Sequence, residues 1–153
     1  MTDEHNRIQT QTPDPKLVGI GGWLILPAIG LVLGPVIEVI GLVVALGLMS
    51  DVEDAGYGGV HAINIVAAVG LLAFMVYTAT RFFGKKSNAP AVMIAFLAIQ
   101  LVVLILLLLV ELGAGAEEYA VESVKALVRS AIGAAIWIPY FKVSKRVKAT
   151  FVN

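Results

Sequence analysis

The chain has 153 residues, of which 59% are hydrophobic and only 14% charged, with a formal net charge of zero. Soluble domains carry about 25% charged residues, and a domain this short has too little interior to hide so much apolar surface, so the composition excludes a water-soluble protein and makes lipid the solvent. The lack of cysteine excludes disulfides, thiolate metal sites and thiol chemistry, and the balanced charge gives no reason to expect a nucleic-acid partner.

Residues 1–16 are polar, and Pro13 and Pro15 disfavour helix, so this stretch reads as a disordered or loosely attached N-terminal tail. A membrane domain is expected over residues 17–141. About 20 apolar residues cross ~30 Å of hydrocarbon, and the first helix, predicted at residues 23–49, is long enough to span with some tilt. Its one charge is Glu38. Pro27 and Pro35 lie inside it and are expected to bend it, while Gly30 and Gly34 form a small-xxx-small pair for close helix approach. The segment is too long for a signal-peptide core and no small-x-small cleavage site follows, so it is expected to remain in the mature protein.

An acidic loop at residues 50–59, with Asp51, Glu53 and Asp54, leads to a second helix at 60–83, which Arg81, Gly84, Lys85 and Lys86 close. Ser87 or Asn88 is placed to cap a third helix at 90–112, with Pro90 in its first turn. Ten consecutive aliphatic residues at 101–110 make that helix apolar all round, facing lipid on most sides. Gly113 and Gly115 end it, and Glu117, Glu118 and Glu122 follow.

The fourth crossing is predicted at residues 121–141. Its uncharged part, 130–141, is too short to span alone, so the helix must bring Glu122, Lys125 and Arg129 into or beside the membrane. Glu118, Glu122, Lys125 and Arg129 share one helix face by spacing, and that stripe should face protein or water. All eleven lysines and arginines except Lys125 and Arg129 fall on one side, which the positive-inside rule makes cytoplasmic. The expected fold is an all-α, polytopic membrane protein of four transmembrane helices with both termini in the cytoplasm. Trp23 and Trp137, with Tyr77 and Tyr140, would sit at the cytoplasmic interface.

Near its start the chain reads GGWLIL from Gly21 to Leu26, and near its end IWIPYFKVSKRVKATFV from Ile136 to Val152. These two runs resemble the bacterial membrane family called domain of unknown function 2569, over roughly residues 19–152. The resemblance implies a small multi-pass protein of the bacterial inner membrane. It transfers no activity and no catalytic, cofactor-binding or metal-binding residues.

Glu38 is the leading candidate for chemistry, because an ionisable group in a bilayer costs at least ~2.5 kcal/mol and usually needs a partner. It lies about 16 Å of helix rise from Met49, and Arg129 lies about 12 Å from Val121, so the matching depths predict a Glu38–Arg129 pair. The alternatives are a protonatable group for transport and a water-facing carboxylate with neither role. His61, Asn64 and Gln100 place polar groups on the second and third helices, either lining a path with Glu38 and Arg129 or hydrogen-bonding between helices. Haem is not expected, since His61 is the only histidine near the membrane, and no cofactor or metal is. Glu111, Glu117, Glu118 and Glu122 are able to attract a cation on the outer side, but without fixed spacing they read first as a solvated, translocated acidic loop. The basic tail at 142–153, with Lys142, Lys145, Arg146 and Lys148, suits lipid headgroups at about 1 kcal/mol per charge, or a cytoplasmic partner.

No nucleotide loop and no serine–histidine–acid arrangement is present, so an enzyme is not expected. The leading reading is a non-enzymatic structural or accessory component, with the lipid bilayer, a second copy or another membrane protein as partner. The alternative is a small transporter or ion-coupled carrier using Glu38. A stable heteromeric partner in mild detergent would favour the first, and a clean homo-oligomer would leave the second open.

Overall fold

In the computed structural model, residues 18–49, 51 and 56–153 are described. The expected polar tail and half of the first acidic loop, Glu53 and Asp54 included, lie outside them. A 3-10 turn, Gly22–Leu24, leads into α1 (Ile25–Gly47), followed by α2 (Gly58–Phe83), α3 (Ala89–Gly113), α4 (Glu117–Val143) and the short α5 (Lys145–Thr150). No strand occurs among the described residues.

The prolines sit where a missing N–H does least harm, with one exception in each of α1 and α4. Pro27 is the third residue of α1 and Pro90 lies in the first turn of α3, where backbone N–H groups lack helical partners anyway. Only Pro35 lies in the interior of α1, so one of the two prolines expected to bend that helix is placed to do so; Pro139 lies inside α4, and both helices continue through them. The expected side-chain cap on α3 is absent. Asn88 precedes the helix without capping it, and the Ser87 backbone N–H donates instead to the Asn153 carbonyl at 2.6 Å.

Three helices, Gly22–Gly47, Gly58–Phe83 and Ala89–Gly113, are long and apolar enough to cross a membrane. α4 is as long, at 27 residues, and is not among them. The long helices pack as neighbours in chain order, α1 on α2, α2 on α3 and α3 on α4, while α1 and α4 are not packed along their lengths. Large apolar side chains are exposed all along the outside, including Ile37 and Val43 on α1, Val66 on α2, Leu109 on α3 and Val128 and Ile132 on α4. In water that surface would drive association; against lipid tails it is matched.

Gly34 is the close-approach point between α1 and α2, since a Cβ there would lie 2.7 Å from the Met75 sulfur. Gly30, its small-xxx-small partner in sequence, has nothing within 4 Å. Gly34→Leu is therefore expected to cost about 1–3 kcal/mol by overpacking, read by unfolding in detergent, and Gly30→Leu far less.

One end of the bundle carries Arg81, Lys85, Lys86, Lys142, Lys145, Arg146 and Lys148 and is called here the basic end. Leu24, Phe82, Ala89, Met93, Phe141, Val147 and Phe151 form its core, with Phe82 packed against Phe151 (ring centroids 5.2 Å) and Phe141 (6.5 Å). Residues 142–153 are part of this core. The 147/151 spacing puts Val147 and Phe151 on one inward face, and Ser144 accepts a hydrogen bond from the Val147 N–H to start α5. The Thr150 hydroxyl both donates to the Gly19 carbonyl and accepts from its N–H, each at 3.1 Å; Gly19 has φ +105°, a conformation open to glycine. The Arg146 side chain lies against Gly21 and Gly22. Thus Lys142, Lys145 and Lys148 face outward while Arg146 turns in. Trp23 is exposed, as an interfacial residue would be, whereas Trp137 packs partly buried on Phe141 and Tyr140.

Candidate functional site: a polar cavity among four helices

The four long helices line an open polar cavity of ~940 Å³ that reaches towards the acidic end, where the α3–α4 turn lies. Its walls follow helix periodicity. On α3, Leu97, Gln100, Leu104, Leu107 and Glu111 recur every three or four residues, and Asn64, Ala68 and Leu71 do the same on α2. Glu38 and Gly41 come from α1, and Glu122, Arg129, Ser130 and Gly133 from α4. From Leu97 to Glu111 the cavity follows ~21 Å of α3. A side chamber of ~240 Å³ extends between α1 and α2 to His61 and Tyr119. Towards the basic end a mostly apolar pocket shares Leu97 and Gln100 with the cavity and reaches Trp137 and Phe141.

The structure brings Glu38, Asn64, Gln100 and Arg129 onto the wall of this one cavity. It does not join Glu38 to Arg129. No ion pair or hydrogen bond connects them, because the side chains stand on the two helices that the cavity separates. The charge stripe of α4 divides. Glu122 and Arg129 line the cavity, and Lys125 pairs with Glu122 at 2.6 Å on the exposed surface.

The residue that sequence reasoning placed wrongly is Glu111. It is no solvated loop residue: it lies near the end of α3, is 1% exposed and lines the cavity. Asn64 Nδ2 donates to its Oε1 at 3.1 Å and also to the Val60 carbonyl at 3.1 Å. Glu111 Oε2 and Ser130 Oγ are buried without a hydrogen-bond partner among the described residues. The signal for Glu111 was present in the sequence: it lies eleven residues after Gln100, three helical turns on, and so shares its face. His61 donates from Nε2 to the Ala45 carbonyl at 2.8 Å, which leaves Nδ1 to accept from the Tyr119 hydroxyl at 3.1 Å. That chain of bonds ties α1, α2 and α4 together at the acidic end, as an interhelical role for His61 requires.

Long apolar helices, an outer surface suited to lipid and an inward polar cavity define a helical integral membrane protein. The chain belongs to the family described as "Protein of unknown function (DUF2569)", which matches residues 17–152 and so bears out the resemblance of its two terminal runs. It is similar to "Inner membrane protein YdgK" of Escherichia coli (strain K12), 28% identical over 142 residues that cover 88% of this chain and 94% of the relative. No solved structure matches.

Proposed function

We propose that this chain is a non-enzymatic protein of the bacterial inner membrane, with four crossings and both termini cytoplasmic, that admits a small polar solute from the outer side, as a carrier does. The observation that carries the reading is the cavity, which runs from the acidic end to Gln100 near the middle of α3 and takes polar side chains from every long helix. A protein acting by packing alone gains nothing from holding carboxylates on an unfilled wall. Four crossings are supported by α4, which packs along α3 towards the basic end and sets Val121, Val128 and Ile132 outward, opposite its cavity-lining residues. The basic residues gathered at that end, and the inner-membrane relative, support the orientation and location. The accessory reading draws on the open face of α1, where Val36, Ile37, Ile40 and Val43 are exposed.

Single cysteines test the reading cleanly, because the chain has none of its own. In intact cells Glu117→Cys should react with a small impermeant thiol reagent and Ser87→Cys should not. Leu104→Cys, on the cavity wall, should also react from outside, and Gly133→Leu, which has free space for a side chain, should block it. Reaction at Ser87→Cys would overturn the topology. An inert Leu104→Cys beside a reactive Glu117→Cys would overturn the open cavity and leave the accessory reading.

A further inference from the structure

The buried Glu111 narrows what the cavity receives. Asn64 spends both amide hydrogens, one on the Val60 carbonyl and one on Glu111 Oε1, so it anchors the carboxylate to α2 in one orientation. Oε2 is left as an acceptor out of water with no protein donor among the described residues. An acceptor held that way is costly unless a donor reaches it, and the side chain that carries it stands on the cavity wall.

The surrounding groups specify the donor. Glu38 and Glu111 line the cavity against one guanidinium, Arg129, while Glu122, also on the wall, is paired with Lys125; the remaining balance is negative and favours a cation. Among the described residues no group of three or more histidine, aspartate or glutamate side chains is placed to hold a metal ion, so the favoured cation is one that offers N–H groups. Leu71, Leu104 and Leu107 line the same space and suit a short apolar body, and ~940 Å³ is the volume of a site for a small organic molecule, not for a bare ion.

We propose that Glu111, oriented by Asn64, receives the ammonium group of a small protonated primary amine entering from the acidic end. This rests on the open-cavity reading above and adds the ligand class and the carboxylate that takes it. The probe is hexylammonium, with hexanol as the neutral isostere and hexyltrimethylammonium as a cation without N–H donors, added to the full chain in detergent. Hexylammonium should raise the unfolding temperature saturably and protect Glu111 from a hydrophobic carbodiimide, with the modified residue located by mass spectrometry. Glu111→Gln should weaken its binding about tenfold or more, as loss of a charge-assisted hydrogen bond does. Should that variant fail to fold, protection of the unaltered protein decides. Unchanged binding in a folded Glu111→Gln, equal protection by hexyltrimethylammonium or hexanol, or modification of Glu111 that hexylammonium does not reduce would each overturn the proposal. A reactive Leu104→Cys with no protection of Glu111 would remove the amine site and keep the open cavity. Protection without a reactive Leu104→Cys would remove entry from outside and keep the site.

Discussion

Replacing Phe82 with alanine is expected to lower stability in detergent by about 3–5 kcal/mol, the usual cost of emptying a packed aromatic site. Phe82 is 0% exposed and touches the rings of Phe83, Phe141 and Phe151, so it joins the end of α2 to α4 and to the segment after α5. The lost volume cannot be refilled by lipid, because Leu24, Ala89 and Val147 shield the site. The effect should appear in unfolding by heat or detergent titration and leave membrane insertion intact, since α2 remains long and apolar. Trp23→Ala is the control: at 68% exposed, it should cost little in the same assay. A loss below about 1 kcal/mol for Phe82→Ala would show that the basic end does not hold the fold together.

The second large effect concerns Asn64 and Glu111. Interhelical hydrogen bonds in membranes average ~0.6 kcal/mol, because the reference state finds other partners. Two features set this one apart: the acceptor is a carboxylate with 1% exposure, and its second oxygen has no partner among the described residues. Leaving a buried acceptor without its donor costs about 1–3 kcal/mol, towards the upper end when the acceptor is a carboxylate, whereas replacing both partners with apolar groups is often near neutral. Asn64→Leu is therefore expected to destabilise the protein by about 2–3 kcal/mol, and the double change Asn64→Leu with Glu111→Leu to recover most of that loss. Glu111→Leu alone should be milder, because the Asn64 amide keeps the Val60 carbonyl. Thermal unfolding of the four proteins closes the cycle. A cost near ~0.6 kcal/mol for Asn64→Leu would mean that the carboxylate is served by another donor.

The pairing predicted from helix depth shows what one-dimensional reasoning omits. Counting residues from Met49 and Val121 sets Glu38 and Arg129 at similar heights, and both do line one cavity. Height along the bundle says nothing of the distance across it, and α1 and α4 are not packed along their lengths. Glu38 therefore remains a cavity carboxylate without Arg129 as its ion partner.

By itself the sequence determined the all-helical membrane character, the apolar lengths of three spans and the turns between them, because the hydrocarbon core sets helix length and a charge or glycine cluster ends each run. The two runs at 21–26 and 136–152 marked the family for the same reason: local composition is readable residue by residue. What the two runs do together was settled only in three dimensions, where Arg146 lies on Gly21 and Gly22 and Thr150 bonds Gly19 across more than a hundred residues of chain. The same holds for Glu111. Its acidic neighbours in sequence suggested a solvated loop, and its neighbours in space are Asn64 and the cavity wall. Burial is decided by which faces of separate helices meet, and that depends on contacts between residues far apart in the chain, which no local pattern encodes.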